Sequence, residues 1–338
     1  MKILVIKRDK IGDLLLTTPM LAHLKARLPQ AEVHLLANDY NAWVVAGNPD
    51  IDRLWTYRRV RHAGRVSLAA AWEQLLQYFG LRREGFDAAI VANGEESPRA
   101  IRRARYAGAR RVVAYCDEPH RYRSLTDPLP SPGGMHECDR LLALLAPLGI
   151  RAPERPRLPE YRLPPEQGAF AQAWLRERKL SPRSYLVLGL GARRKKKQPA
   201  PDQVLRWSAR FKRELGLDTV FMWTPGRSDN PIYPGDDDLA QPVLDAATPY
   251  IHPFRGPLLP AIGLIWSARG SIIPDSGLMH FAAASSGGVL GLFAETDVSP
   301  HPSQWGPRGQ RVDYLEAVKS VGELPDGLVY ARFDALLA

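Results

Sequence analysis

Five consecutive cations, Arg193, Arg194, Lys195, Lys196 and Lys197, follow the glycine-bearing segment Gly189-Leu190-Gly191-Ala192. Glycines let a polyanion approach the backbone, and cations placed directly after them can neutralise a diphosphate; the competing reading is a solvated charged face. A second segment, Pro274-Asp275-Ser276-Gly277-Leu278-Met279-His280, runs into the small-residue stretch Phe281-Ala282-Ala283-Ala284. A helix opening at Ser276 to Leu278 offers unpaired backbone N–H groups to an anion, with Asp275 beside it for sugar hydroxyls. Otherwise Ser276 is an ordinary cap and His280 a satisfied, partly buried histidine. A third segment, Lys7-Arg8-Asp9-Lys10-Ile11-Gly12-Asp13, puts the carboxylate of Asp13 at the start of a helix whose buried face is Leu14, Leu21, Leu24 and Leu28. That carboxylate either complements the helix dipole or stands ionised in a cleft as a general base. The fourth, Trp223-Thr224-Pro225-Gly226-Arg227-Ser228-Asp229-Asn230, precedes Asp236-Asp237-Asp238. Three adjacent aspartates invite a metal, but acidic residues in a first helical turn are the commoner explanation, and no histidine lies near to help.

Ligands of open α/β sheets bind beyond the carboxyl ends of the strands, so these loops need strands in front of them. Short apolar runs alternate with longer amphipathic segments along the whole chain, the pattern of βαβ units and parallel sheets. In the first half, strands are predicted at 3–6, 33–36, 88–92 and 112–115, with helices near 14–28, 68–81 and 137–148. In the second half, strands are predicted at 185–190, 219–223, 272–274 and 289–293, with helices near 202–215, 258–268 and 277–284. The proline-rich stretch from Pro153 to Pro165 holds neither helix nor central strand and marks a boundary. The expected organisation is two Rossmann-like domains, 1–155 and 156–320, and a terminal helix within 321–338 that crosses back to the first domain.

A chain of 338 residues has room for about two domains, each with its own core. Its 45% hydrophobic and 24% charged composition and mean hydropathy of -0.26 are those of a folded, water-soluble protein. The longest apolar stretch, Leu141 to Ile150, is about half of a bilayer span, and the start MKILVIKRDKIGD has too few apolar residues for a signal peptide. A cytoplasmic location is therefore expected. Cys116 and Cys138 are read as free, inert thiols. Lys and Arg number 46 against 36 Asp and Glu, and 14 arginines, no lysine and 7 acidic residues lie between Arg58 and Arg123. That excess points to an anionic partner. Nucleic acid is not expected, since no helix-turn-helix, RNA-recognition motif or interleaved aromatics accompany the arginines. A nicotinamide enzyme is not expected either, because no GxGxxG fingerprint follows Ile6 and no acidic residue closes the second strand at Leu36.

The four segments, in this order, resemble glycosyltransferase family 9, the heptosyltransferases of the bacterial lipopolysaccharide inner core. The most specific parts are Lys2–Pro19 (KILVIKRDKIGDLLLTTP) and Asp275–Ala284 (DSGLMHFAAA), which is similar to the family's D-T-G-L-x-H-x-A-A. Support comes from Asn48-Pro49-Asp50-Ile51-Asp52, Leu292-Phe293 with Thr296-Asp297, and Trp305-Gly306-Pro307. The resemblance implies a GT-B fold with parallel sheets facing a central cleft, an N-terminal acceptor domain and a C-terminal nucleotide-sugar domain. It implies inverting, metal-independent transfer without a cofactor, of a heptose from ADP-heptose to a lipopolysaccharide core or related surface glycan. Asp13 then matches the catalytic base. Lys197, with Arg193, Arg194 and the backbone of Gly277 and Leu278, is expected at the donor phosphates. Asp275, Ser276, His280 and Asp229 are expected at the sugar and nucleotide, Asp229 standing where many members have a glutamate for the ribose. Lys7, Arg8, Lys10, Arg121 and Arg123 are expected at a lipid-linked anionic glycan acceptor, reached by peripheral contact with the inner face of the cytoplasmic membrane. The family's F-G-P-T-D appears here as Phe293-Ala294-Glu295-Thr296-Asp297. Two other readings stay open: a member using a different nucleotide sugar, and a non-catalytic protein that binds anionic glycolipid or nucleic acid.

Overall fold

Both halves of the chain build a six-stranded sheet in which every strand pairing is parallel. The structure is a computed structural model that describes the chain except Asp9, Arg193 and residues 59–60, 63–64, 231–233 and 298–300. It divides into two units, Met1–Arg162 and Leu163–Ala338, with the division inside the proline-rich stretch. Among the described residues no helix is long and apolar enough to cross a membrane.

The first unit contains β1 (Lys2–Lys7), α1 (Ile11–Leu15), α2 (Thr18–Arg27), β2 (Glu32–Asn38), β3 (Arg53–Tyr57) and a small hairpin, β4 (Arg61–His62) with β5 (Arg65–Val66). It continues through α3 (Leu68–Glu84), β6 (Ala88–Val91), α4 (Pro98–Ala107), β7 (Arg111–Tyr115), β8 (Asp127–Leu129) and α5 (Glu137–Ala143). The sheet order is β3-β2-β1-β6-β7-β8. Because parallel connections put helices on both faces, β1 buries both sets of its alternating side chains, and Ile3, Leu4, Val5 and Ile6 are all fully buried. The helix expected over 14–28 is instead two. Pro19 has no N–H to continue the ladder, and the Thr18 hydroxyl donates to the Leu15 carbonyl at 2.8 Å in its place. Cys116 and Cys138 are buried and form no disulfide among the described residues.

The second unit contains α6 (Pro165–Glu177), β9 (Tyr185–Gly189), α7 (Pro201–Leu215), β10 (Asp218–Met222), α8 (Asp237–Asp245), β11 (Ile251–Phe254) and α9 (Leu258–Ser267). It ends with β12 (Gly270–Pro274), α10 (Gly277–Ala284), β13 (Val289–Ala294), α11 (Pro302–Trp305), β14 (Val312–Ala317) and α12 (Asp326–Leu337). The order β11-β10-β9-β12-β13-β14 reverses direction between β9 and β12, the crevice where such sheets take ligands. One core lies under α7, α8 and α12, around Trp207, Phe211, Phe221 and Phe333; the other lies under α6, α9 and α10, around Trp174, Tyr185, Phe254 and Met279. At Gly263 of α9 an added Cβ would stand 2.3 Å from the Gln167 carbonyl of α6, so these helices approach as closely as only glycine permits. The terminal helix, expected to cross back to the first domain, packs on its own unit. Val329, Phe333 and Leu337 join the core, Asp334 pairs with Arg210, and Asp326 accepts from the Trp207 indole at 2.7 Å.

Candidate functional site

A cavity of about 680 Å³ opens in the second unit at the carboxyl ends of four neighbouring strands. Gly189 lines it at the end of β9 and Gly191 after it, Trp223, Thr224 and Pro225 after β10, Arg255, Gly256 and Pro257 after β11, and Ser276 and Leu278 after β12. An added Cβ on Gly191 would stand 3.2 Å from the Thr224 hydroxyl, so the glycine keeps the β9 loop low under its neighbour. The floor and walls are largely apolar, with polar side chains from Thr224, Arg255 and, at the β12–α10 junction, Ser276. There Ser276 is the helix N-cap, yet its side chain makes no capping bond, and its Oγ is buried without a hydrogen-bond partner among the described residues. The first N–H groups of α10 thus lack the side-chain acceptor that such a position ordinarily supplies, which suits an anionic ligand.

The basic run does not act as one cluster. Arg193 lies outside the described residues, Arg194 and Lys195 are exposed, and Lys196 reaches Glu295 at 2.6 Å. Glu295, in the segment where the family carries F-G-P-T-D, takes a left-handed backbone with φ of 53°. Lys197 ends a short 3-10 turn and is 5% exposed, its ammonium paired with Asp275. Two residues expected at the donor therefore meet across the β9 and β12 loops. Gly277 opens α10, and His280 is buried in it. Asp229 is exposed, pairs with Arg227 at 3.1 Å and is not part of the cavity lining.

The three aspartates turn to three different tasks. Asp236 is buried and accepts from the Gln198 amide at 2.6 Å and the Thr224 N–H at 3.2 Å; burial raises its carboxyl pKa above the ordinary range. Asp237 is clasped by Arg255, at 2.9 and 2.8 Å, by the Trp223 indole at 2.8 Å and by the Gly226 N–H at 3.0 Å. Those bonds, the Arg255 guanidinium first, hold it well below the usual carboxylate range. Asp238 caps Ser228 through both its N–H and its hydroxyl. The N-terminal turn of α8 thereby fixes the β10 loop and ties it to the β11 loop, making the cavity wall.

In the first unit, Asp13 is the third residue of α1, and its Oδ2 accepts the Lys10 N–H at 2.9 Å. That is the reciprocal arm of a capping box, and the other carboxylate oxygen accepts nothing among the described residues. Lys10 is exposed, Arg8 half-buried, and Arg123 exposed, while Arg121 is exposed and paired with Glu118 at 2.9 Å. Lys7, expected at the acceptor, is instead fully buried and faces Glu137 at 3.4 Å. It is the last residue of a strand buried on both faces, and Glu137 also takes the Gly94 N–H at 3.1 Å. Its work is to fix the end of β1.

One side-chain group among the described residues has the spacing of a metal site, Glu32, His34 and Glu84. The Trp55 indole donates to His34 Nδ1 at 3.0 Å, so Nε2 carries the proton and donates to Glu32 at 2.7 Å; Lys2 sits 2.7 Å from Glu84 and 3.5 Å from Glu32. Arg53 also reaches Glu84 at 2.6 Å, so two cations answer the two carboxylates. The cavity wall at Phe254–Pro257 escaped the sequence reading because β11, an edge strand containing Pro253, has no apolar run to announce it.

Comparison with known proteins agrees with this arrangement. The chain is 26% identical over 305 residues to Lipopolysaccharide heptosyltransferase 3 of Escherichia coli, covering 85% of this chain and 81% of the relative. In fold it is similar to the glycosyl transferase family 9 structure from Veillonella parvula DSM 2008, with a TM-score of 0.83, 19% identity, and coverage of 99% and 97% of the two chains. It is also similar to the E. coli ADP-heptose lps heptosyltransferase II, with a TM-score of 0.76, 19% identity, and coverage of 100% and 98%. Two Rossmann-like α/β units of parallel sheet are the GT-B fold class. The family profile of glycosyltransferase family 9 (heptosyltransferase) matches residues 79–319, most of the chain and the whole of the cavity. With the strand-end cavity and its anion-ready helix, that match makes the protein a glycosyltransferase, and the chain belongs to glycosyltransferase family 9 (heptosyltransferase).

Proposed function

We propose that this protein transfers a heptose from ADP-heptose to a lipopolysaccharide core or related surface glycan, with inversion at the anomeric carbon and Asp13 as general base. The observation that carries the donor half is the meeting of Lys197, Asp275 and the open N-terminus of α10 beside an apolar cavity of about 680 Å³. An apolar cavity suits a nucleoside, and a buried cation with unpaired N–H groups suits its diphosphate. In the reaction, the acceptor oxygen forms its bond to the anomeric carbon as the bond from that carbon to the diphosphate oxygen breaks. The electron pair leaves with ADP, whose charge is met by Lys197 and the N–H groups of Gly277 and Leu278. The acceptor proton goes to Asp13, whose Oδ2 is already held by the Lys10 N–H so that the carboxylate is fixed in direction. Asp275 and His280 serve the sugar end of the donor. No step calls on a metal.

A lipid-linked acceptor is favoured by α3. Leu68, Trp72, Leu76 and Phe79 recur at helical spacing and are 82%, 62%, 53% and 56% exposed. Exposed arginines accompany them in α3 and α4, namely Arg82, Arg83, Arg99, Arg102 and Arg105. An apolar helix face among cations is the pattern of a surface that rests in anionic lipid, each cation contributing about 1 kcal/mol of attraction. Peripheral contact with the inner face of the cytoplasmic membrane is part of this reading.

The test of the donor is a thermal-shift comparison with ADP, UDP, GDP and ADP-heptose, since a ligand that binds only the native state raises the melting temperature. Stabilisation by ADP and ADP-heptose alone is expected. Stabilisation by UDP or GDP instead would replace the donor.

A further inference from the structure

Helix α3 is amphipathic with its polar side inward. Of its 17 residues only Ala70 and Leu81 are buried. On that same side the Gln77 amide donates to the Thr56 carbonyl of β3 at 2.5 Å and the Gln74 amide to the Arg58 carbonyl, so two glutamines seat the helix. At 3.6 residues per turn, Leu68, Trp72, Leu75, Leu76 and Phe79 fall within one sector of about 100° on the opposite side, and all five are exposed. A surface helix ordinarily turns its apolar stripe to the core, and a contiguous exposed one marks a place of interaction. Between this stripe and α4 runs a groove of about 430 Å³, lined chiefly by Ala71, Leu75, Tyr78, Phe79 and Arg82 of α3 and Tyr106 of α4. Tyr78 and Tyr106 meet edge to face with ring centres 5.1 Å apart, and Ala71, the smallest lining side chain, leaves the groove open. The stem of Arg82 passes beside Gly108, the cap of α4, where an added Cβ would stand 3.4 Å from it, so a cation stands at the rim. The surrounding charge is of one sign. Arg82, Arg83, Arg99, Arg102 and Arg105 are exposed and form no ion pair among the described residues. The acidic residues of α3, Glu73 and Glu84, already face Arg58 at 3.6 Å and Lys2 at 2.7 Å, and α4 has none. A second copy of this face would bring cations against cations, whereas anionic lipid supplies the missing charge.

We infer that the groove between α3 and α4 takes one acyl chain of an anionic membrane phospholipid, with Arg82 at the phosphate. The chain lies along Ala71, Leu75 and Phe79, and the edges of Tyr78 and Tyr106 form the opposite wall. Its volume is in the range of small-molecule sites, and each methylene taken from water raises affinity about fourfold. This site rests on α3 being the membrane contact, and it differs from adsorption of an apolar face in holding a single chain at fixed stoichiometry.

The test titrates the full chain calorimetrically, in excess ADP to keep the donor cavity out of play, with inorganic phosphate and with octyl and decyl phosphate below their micelle-forming concentrations. Decyl phosphate should bind at one equivalent, octyl phosphate roughly 15-fold more weakly, and inorganic phosphate without measurable heat. Ala71→Leu, which fills the groove, should weaken decyl phosphate at least tenfold, while Trp72→Ser, outside the groove, should stay within twofold. Flotation with phosphatidylglycerol vesicles then separates the groove from the stripe. Ala71→Leu adds apolar surface, so adsorption alone would keep or strengthen vesicle binding, whereas loss of the chain site should weaken it at least threefold. If Ala71→Leu fails to fold, Leu75→Asn decides in the same titrations. Equal affinity for the octyl and decyl probes, unchanged binding by Ala71→Leu, or a lipid-free dimer that Ala71→Leu disperses would overturn the inference. A wild type that binds vesicles but not decyl phosphate overturns the groove alone; one that binds decyl phosphate but no vesicles overturns the membrane source together with the reading of α3.

Discussion

Replacing Lys197 by methionine separates what this residue does for the fold from what it does for the donor. The side chains of Lys197 and Asp275 are 6% and 11% exposed, so removing the cation leaves a nearly buried carboxylate without its counter-ion. Breaking a fully buried pair costs about 3–5 kcal/mol, and the residual exposure of Asp275 brings the figure to roughly 2–3 kcal/mol. For a unit of this size that is a fall of roughly 5–10 °C in melting temperature. The same lysine should contribute a charge-assisted hydrogen bond to the diphosphate worth about 1.5–3 kcal/mol, so ADP affinity should fall roughly 10- to 150-fold. The double variant Lys197→Met/Asp275→Leu removes the orphaned carboxylate and should recover most of the stability, but none of the ADP affinity. Calorimetric melting and ADP titration of the three proteins read both effects. The reasoning fails if Lys197→Met binds ADP as the wild type does, or if the double variant regains ADP binding along with its stability.

Two further outcomes follow from the cavity wall and the apolar helix. Asp237 is held below its ordinary value of 3.8, so its bonds stabilise the fold fully above that pH and are lost as the pH falls toward the lowered value. Asp237→Asn should cost about 1 kcal/mol near neutral pH, with the gap to wild type constant down to about pH 5 and shrinking in denaturant melts below it; a gap that widens on acidification contradicts the assignment. On α3, Trp72→Ser with Phe79→Ser should reduce binding to anionic phospholipid vesicles at least tenfold and leave ADP affinity unchanged, and retention equal to wild type would remove α3 from the membrane account.

The interior of both sheets was legible in the sequence because parallel strands buried on both faces are continuous apolar runs. Ile3–Ile6, Ala88–Val91, Tyr185–Leu188 and Val289–Phe293 all read directly. Within the two six-stranded sheets, the strands left unread, β3, β8, β11 and β14, are the four edges. Their outward faces are wet, so Arg53-Leu54-Trp55-Thr56-Tyr57 and Val312–Ala317 mix charge with apolar residues, and β8 and β11 carry prolines that only an edge tolerates. Helix α4 escaped for a related reason: its buried side is alanine and one isoleucine, hidden between arginines. Loops directly after interior strands could be found from those strands, which is how Lys197, Asp275 and Ser276 were placed. Loops after edge strands could not, and Arg255 and Pro257 were missed with β11. Residue type misled at Lys7, where a charged side chain at the end of an apolar strand is bound inside by Glu137.

The central claim is heptosyl transfer with Asp13 as base, and it is tested most directly by ADP release from ADP-heptose in the presence and absence of heptose-deficient lipopolysaccharide, for the wild type and Asp13→Asn, with EDTA throughout. Asparagine keeps an oxygen for the Lys10 N–H, so the cap of α1 survives while the proton acceptor is lost. The account predicts acceptor-dependent release of ADP by the wild type, a loss of at least about 100-fold in Asp13→Asn, and ADP affinity within a few-fold of wild type in both. Release that does not depend on acceptor, or that survives in Asp13→Asn, would contradict it.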